Sequence, residues 1–246
     1  MQSLRRNTII IALLVGLIVV VLAVLLLRKP ANNDVTLSFS AEVGGTPLVY
    51  NQSIYPNPGG EGQLKIRDFR FYISHIELVG RDNTWVESDS YHLARFDNEA
   101  GLYTVELKDV PIQQLEKVKF SIGVDETANT SIEPRGDLDP NSQMAWNWTM
   151  GYKFVLLEGA LNLLGEISPI VFHVGFSENL RSFEFDFKEP IELAERKDMA
   201  FLVNPMKLFD GTTRVDLSEL SSVKFDRNDA RTIADNYQHM VTLKPD

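Results

Sequence analysis

Apolar and polar side chains alternate along most of this chain, which is the pattern of a strand with one buried face. Turn residues separate the alternating runs at intervals of about 8–12 residues. The pattern therefore predicts a mainly β fold, an antiparallel β-sandwich of many short strands. The runs are Val35–Val43, Leu64–Val79, Tyr91–Phe96, Tyr103–Leu107, Lys117–Val124, Tyr152–Leu157, Pro169–Gly175, Ser182–Lys188 and Phe201–Val203.

A helical pattern occurs near the C-terminus. Asp226 is a suitable N-cap, and Asp229 places a negative charge in the first turn, where the helix dipole favours it. Apolar residues then recur at three- and four-residue spacing, so the sequence predicts one C-terminal amphipathic helix. These residues are Ala230, Ile233, Ala234, Tyr237 and Val241.

An apolar run near the N-terminus predicts a membrane anchor. Ile9–Leu27 contains 19 residues and no charge, and as a helix it spans roughly 28 Å, close to the hydrocarbon thickness of a bilayer. A cleaved signal peptide is the alternative, but its apolar region has about 7–15 residues and ends at small residues. This run continues into Arg28, Lys29 and Pro30 without such a site. We therefore favour an uncleaved transmembrane helix.

The anchor divides the chain into four parts. Arg5, Arg6 and the α-amino group place positive charge before the anchor, which favours a cytoplasmic N-terminus. We therefore expect an inner-membrane protein whose main domain lies in the periplasm or outside the cell. The parts are the cytoplasmic head (1–8), the anchor (9–27), a linker (28–34) and one β-sandwich domain (35–246).

Charge and composition exclude several classes of function. All 34 acidic residues but only 20 of the 24 basic residues follow position 29, so the exported part has a formal charge of −14. This charge argues against nucleic acid as a partner and against binding flat on anionic lipid. The chain has no cysteine, which removes disulfides, thiolate metal sites and a cysteine nucleophile. Because GxSxG, Walker and GxGxxG motifs are absent, we expect a binding protein and not an enzyme; hydrolysis by paired carboxylates has no positive support.

The segment Gly136–Gly159 concentrates the candidate binding chemistry. It begins with a turn sequence of Asp, Pro, Asn and Ser, and Trp146 and Trp148 follow on one face of an extended backbone. Two indoles beside a polar turn could form a stacking platform for sugar rings, but core packing is the favoured interpretation from composition alone. The candidate ligand-binding residues are Trp148, Met144, Asp137 and Asp139.

Histidines are the candidate metal ligands. None of the four lies near another in sequence, so no HExxH or His-x-His motif is present, but separate strands can bring distant ligands together. His173 is the best candidate because it follows the tryptophan segment after one connection, and His75 is the next. For a single histidine in an apolar strand a structural role is the favoured alternative, and His239 suits the dipole at a helix C-terminus. The remaining histidine of the chain is His92.

Other residues are candidates for hard and soft cations. Candidate oxygen ligands for calcium are Asp125, Glu126, Asp137 and Asp139. They lack the regular spacing of a dedicated calcium loop, so a solvated turn is the favoured alternative. Met144 and Met150 carry soft sulfur that suits copper(I), with packing against tryptophan as the alternative.

Several motifs, taken in order, resemble the MbnP-like family of exported copper-binding proteins. The resemblance covers about Val35–Val241, and the segment from Asp-Pro through Trp-x-Trp to Gly-Tyr is its most specific part. The motifs are Phe69–Leu78, Ile122–Asp125, Leu138–Trp148, Gly151–Phe154, Leu157–Gly159, Phe172–Gly175 and Ile233–Met240.

The resemblance implies a periplasmic or surface β-sandwich that takes part in copper handling. In the family, copper(I) lies among histidines and a tryptophan oxidised to kynurenine, and a partner di-haem cytochrome of the peroxidase type is thought to oxidise it. Carried over to this chain, the implied metal site comprises His173, His75 and Trp146. The chain departs from the family because no histidine lies two residues after Trp146 or Trp148, and because an anchor replaces the usual cleaved export signal.

The sequence thus predicts a membrane-anchored, extracytoplasmic MbnP-like protein that binds copper through histidines and an oxidisable tryptophan. The alternative is a structural or adhesive β-sandwich that binds a carbohydrate or a protein through the Trp146/Trp148 loop without a metal.

Overall fold

The computed structural model describes residues 32–51, 55–96, 101–131, 133, 135–147 and 150–245. The predicted head, the anchor and most of the linker lie outside these residues. Among the helices of the described part, none is long and apolar enough to cross a membrane.

Strands dominate the described part of the chain. They are β1 (Asn33–Val43), β2 (Thr46–Pro47), β3 (Tyr55–Pro56), β4 (Gln63–Gly80), β5 (Thr84–Val86), β6 (Tyr91–Arg95), β7 (Leu102–Val110), β8 (Gln114–Ile122), β9 (Ala145–Asn147), β10 (Gly151–Leu163), β11 (Glu166–Gly175), β12 (Arg181–Glu192), β13 (Asp198–Val203), β14 (Ser222–Val223) and β15 (Val241–Leu243). The helices are α1 (Glu126–Asn129) and α2 (Arg227–Asp235), with 3-10 turns at Pro140–Ser142, Ser177–Asn179, Pro205–Leu208 and Tyr237–His239.

Two sheets share one core. The smaller sheet has β1 between β7 and β13, with β15 beyond β13 and β2 paired to the end of β1. The larger sheet runs β12-β8-β4-β10-β11-β14, with β3, β5 and β6 on β4 and β9 on β10. Phe39, Phe120 and Phe201 meet between the sheets with ring centroids 5.1–5.6 Å apart, because every second side chain of their strands faces inward. The hydrophobic alternation therefore produces the core that it predicts.

The long strand β4 changes partner part-way along its length. It pairs with β10 up to Phe71 and with β8 from Ile73 onward. The register of the β4–β8 pairing shifts between Ser74 and Glu77, and His75 within this bulge has a left-handed φ of 54°. A bulge re-aims side chains, so this irregularity directs His75 away from the regular face of the sheet.

The predicted fold class needs one correction. The fold is mainly β as expected, but the sheets are mixed and not purely antiparallel, because β1 pairs with β13 and β11 pairs with β14 in parallel. Alternation records which face is buried and carries no information on strand direction, so the parallel pairs were not predictable from it. The C-terminal helix is confirmed, with Asp226 accepting from the N–H groups of Asn228 and Asp229. It ends at Asp235, so Tyr237 lies in a 3-10 turn and Val241 in a strand.

Candidate functional site

In the acidic turn before Trp146, the carboxylates accept hydrogen bonds from backbone N–H groups. The Asp139 carboxylate accepts from the backbone N–H of Asn141 at 2.8 Å and begins the 3-10 turn. The Asp137 carboxylate accepts from the backbone N–H of Leu93 at 2.8 Å and thereby joins this loop to β6. Both carboxylates therefore fix the loop on which the next strand begins.

Met144 is the next candidate and is fully buried. It packs in a second, smaller hydrophobic cluster with Tyr72, Leu138 and Phe154. Its backbone carbonyl accepts from the N–H of Lys153 at 2.6 Å, which holds the segment against β10. The sulfur therefore lies among apolar and aromatic groups.

Trp146 lies on β9 and is half-buried in an aromatic cluster. Its ring centroid is 5.5 Å from that of Phe176 and 5.5 Å from that of Phe225, whose side chain is 59% exposed. A Cβ on Gly175 would come within 2.6 Å of the indole ring, so only glycine allows this close approach. The indole Nε1 is buried and has no hydrogen-bond partner among the described residues. The other candidate of this segment, Trp148, lies outside them.

A cavity of about 290 Å³ opens beside Trp146. We call it the Trp146 cavity. It brings together the end of α1, the turn before β9 and the start of β10, which all lie within residues 129–152. The lining residues are Asn129, Ser131, Pro140, Ala145, Trp146, Gly151 and Tyr152.

Asn129 ties the walls of this cavity together. Its Oδ1 accepts from the backbone N–H of Tyr152 at 2.8 Å, and its Nδ2 donates to the Oγ of Ser177 at 3.2 Å. Gly151 has a left-handed φ of 77°, and a Cβ there would lie 2.3 Å from Asn129 Oδ1. The side-chain amide thus occupies the space that a larger residue at position 151 would need, and it fixes the beginning of β10.

His173 shares a strand face with Gly175, over which Trp146 lies. It is on β11, its side chain is 13% exposed, and its Nε2 lies 2.8 Å from Glu158 Oε1. Burial lowers the pKa of His173, and the hydrogen bond to Glu158 opposes this only in part. The imidazole is therefore held by a carboxylate and shielded from water.

His75 lies in a different environment. Its Nε2 is 3.3 Å from Asp125 Oδ2, and its Nδ1 is 3.0 Å from the Oγ of Ser74. Burial opposes ionisation of Asp125, but hydrogen bonds from Tyr91 and from the backbone N–H of Ala128 contribute to a pKa below the usual value. A separate cavity of about 510 Å³ adjoins His75 and is also lined by Lys119 and Glu184. Thus His75 is not among the residues that line the Trp146 cavity.

The remaining candidates do not form a cluster. His92 Nε2 is 2.7 Å from Glu87 Oε2, and His239 Nε2 is 3.1 Å from the hydroxyl of Thr212. Asp125 caps α1 by accepting from Ala128. In the part of the chain that the structure describes, no three His, Cys, Asp or Glu side chains are grouped so as to hold a metal ion.

Comparison with known proteins places this arrangement in a family. The family model for MbnP matches residues 32–226, which include β9, the Trp146 cavity and His173. The chain belongs to the MbnP family. The solved structure of MbnP from Methylosinus trichosporium is similar, with a TM-score of 0.52 and 18% identity over 80% of this chain and 82% of that chain. At this identity the likeness shows a shared fold alone. A comparison with curated proteins gave no match.

Several residues of the site in this MbnP-family chain were not singled out from the sequence. Asn129, Tyr152 and Phe225 contribute to the cavity or to the aromatic cluster. Asn129 stands in an Asn-x-Ser sequon, but burial and two hydrogen bonds occupy its side chain. The glycine at position 151, directly after the tryptophan segment, was the available signal, because a glycine that interrupts a strand pattern indicates a close approach of other atoms.

The His173–Glu158 pair should make the stability of this MbnP-family chain depend on pH. Because burial lowers the pKa of His173 in the native state, the unfolded chain binds more protons below about pH 6.5. The contribution is therefore present above about pH 6.5 and is lost as the pH falls through the lower native pKa. We expect the free energy of unfolding to fall less between about pH 7 and pH 5 in His173→Gln than in the natural chain. Urea titrations at each pH measure this, and equal losses in the two proteins would contradict it.

Proposed function

We propose that this MbnP-family chain is a membrane-anchored, extracytoplasmic binding protein whose ligand site is the Trp146 cavity. The observation that carries the proposal is the convergence of Trp146, Tyr152 and Asn129, from three separate segments, around one opening. Concave sites lined by aromatic groups and a few polar groups are the usual form of small-molecule sites. The proposal includes the anchor at 9–27, a main domain in the periplasm or outside the cell, and no catalytic activity.

The cavity is built to hold its shape before a ligand arrives. The Tyr152 ring packs edge-on against Tyr72, with centroids 5.8 Å apart, and its hydroxyl donates to the carbonyl of Leu138 at 3.3 Å. Trp146 is held by Phe176 on the core side. A site whose walls are already ordered loses less conformational entropy on binding, which favours affinity.

A fragment screen on the full-length chain tests this proposal. A mixture of charged and neutral small molecules should shift the NMR signals of Trp146 and Gly151, and Ala145→Leu should abolish the shifts because its side chain fills the cavity. Ala194→Leu, in an exposed turn, is the matched control. If no fragment shifts these signals, or if Ala145→Leu leaves binding intact, the Trp146 cavity is not the ligand site.

Copper is a second candidate ligand. It is favoured because His173 and Gly175 lie on the same face of β11, and Trp146 packs against Gly175. The described donor set does not fit a resident copper(I) site as it stands. His173 and His75 lie against different carboxylates, and the Nε1–H of an unmodified tryptophan donates a hydrogen bond but has no lone pair for a metal.

A titration with copper(I) against a competing chelator tests whether the chain binds copper at these residues. If copper binds at the predicted residues, His173→Ala should weaken binding by tenfold or more, in the order of magnitude expected for a lost ligand. His239→Ala, whose ring lies beside Thr212, is the control. If the natural chain and His173→Ala bind copper(I) with equal affinity, His173 is not a copper ligand and copper is not the ligand of this site.

The oxidising partner is also a proposal. A di-haem cytochrome of the peroxidase type would act on Trp146, whose indole is half-buried beside the exposed Phe225. Mass spectrometry of the peptide that contains Trp146, from protein made in its own host, should then show kynurenine. If Trp146 is unmodified, both the proposed cytochrome partner and kynurenine as a metal ligand are excluded.

A further inference from the structure

Among the residues that the structure describes, none that lines the Trp146 cavity is charged, although 24% of the chain's residues are charged. The charged residues next to the lining in sequence are Asp139 and Lys153, and both make hydrogen bonds within residues 139–153. Asp139 accepts from Asn141, and the Nζ of Lys153 donates to the carbonyl of Gln143 at 2.7 Å. An ionic ligand would lose part of its hydration in the cavity without meeting a charged side chain of the described lining, which is unfavourable. The cavity therefore favours a neutral ligand.

The walls of the cavity also limit the ligand's size and shape. Trp146, Tyr152 and Pro140 contribute to the lining, and the electron-rich face of an aromatic ring attracts weakly positive C–H groups. The volume of about 290 Å³ is at the lower end for small-molecule sites, so it suits one ring and not a drug-sized or lipid-sized molecule.

Besides the buried Nε1–H of Trp146, two polar side chains of the described lining have hydrogen atoms to donate. The Ser131 Oγ accepts from the backbone N–H of Glu133 at 3.0 Å, and among the described residues its own hydrogen has no acceptor. Asn129 Nδ2 uses one hydrogen on Ser177, again within the described part of the chain. A hydrocarbon ligand would leave these donors unpaired, whereas a ligand with hydroxyl oxygens accepts from them.

Resting on the proposed function, we propose that the Trp146 cavity binds a neutral pyranose ring. The ring's C–H face packs on Trp146 and Tyr152, and its hydroxyl oxygens accept from Ser131 and Asn129. Free monosaccharides and single residues of a glycan share this chemistry. Methyl glycosides distinguish the two sources, because a blocked anomeric carbon represents a sugar within a glycan.

The test is an NMR titration of the full-length, ¹⁵N-labelled chain in a detergent without a sugar head group. The probes are glucose, galactose and N-acetylglucosamine, their methyl glycosides, and the charged analogues glucuronate and glucosamine. The readout is the indole signal of Trp146, assigned with Trp146→Phe. Trp85→Phe, on β5, controls for the removal of an indole elsewhere.

We expect at least one neutral sugar to shift the Trp146 signal to saturation, and its charged analogues to bind about tenfold more weakly or worse, because the cavity holds no counter-charge. Ser131→Ala should weaken binding about threefold to tenfold through the loss of one hydrogen bond. Ala145→Leu should abolish binding, whereas Ala194→Leu should not change it.

Equal binding of neutral and charged rings, or sugar binding that survives Ala145→Leu, would overturn the inference. Binding of other fragments but of no sugar would overturn the ligand class and leave the Trp146 cavity as the site. If neither sugars nor fragments shift the Trp146 signal, the inference and the proposed function fail together.

Discussion

Replacing Gly151 with alanine should destabilise the protein by about 2–5 kcal/mol and close the Trp146 cavity. The left-handed φ of 77° costs a residue with a Cβ about 1–2 kcal/mol. Overpacking adds about 1–3 kcal/mol, because the new methyl group would lie 2.3 Å from Asn129 Oδ1. Asn129 cannot move freely, since it is buried and bonded to Tyr152 and Ser177. Urea denaturation measures the loss of stability, and the Trp146 indole signal reports the cavity.

Gly45 provides a matched control for this substitution. Its φ of 78° is nearly the same, but in the described part of the chain only its sequence neighbours approach a Cβ built there within 4 Å. Gly45→Ala should therefore lose only the stability that the left-handed backbone conformation costs, and it should leave the Trp146 signal unchanged. If the two alanine variants lose equal stability, the collision with Asn129 does not exist and the cavity is not organised as described.

Phe120→Ala should cost about 3–5 kcal/mol, the range for truncating a fully buried phenylalanine. Phe120 is 1% exposed on β8 and contacts the rings of Phe39, Phe201, Phe183 and Phe185. Because Phe39 and Phe201 belong to the other sheet, the substitution removes packing between the two sheets. Each aromatic pair contributes about 0.5–1.5 kcal/mol beyond the buried area, which places the effect towards the upper end.

The same substitution at an exposed position shows how much of the loss of stability comes from burial of the ring. Phe225 is 59% exposed, so Phe225→Ala should lower the free energy of unfolding by much less than Phe120→Ala. Denaturant midpoints with unchanged slopes provide the comparison. Similar losses in the two variants would mean that Phe120 does not join the sheets.

The sequence predicted the mainly β fold because alternation is a local property. Val35–Val43 and Ser182–Lys188 alternate, and both lie in strands. The parallel neighbour of β1 was not predictable, because β13 lies about 160 residues further along and its pairing depends on the whole topology. The left-handed conformation of His75 was missed for a similar reason, since a bulge is defined by the partner strand as much as by its own residues.

The candidate site was predictable only in part. Trp146 and the Asp-Pro turn were identified from their composition, and both border the Trp146 cavity or its loop. The sequence could not indicate that His173 and His75 each lie against a separate carboxylate, because 34 acidic residues offer many partners. Asn129 was missed since the role of an amide depends on the groups that its oxygen and nitrogen reach in three dimensions.

The parallel pair of β1 with β13 sets the order in which the chain can fold. Asn33 begins one of these strands and Val203 ends the other, so nearly the whole domain must emerge before they can join. Until then, one edge of β1 offers unpaired backbone groups to any neighbouring strand. Contacts this distant in sequence make folding slow. During synthesis the domain therefore passes through a period in which a chaperone would protect it from aggregation.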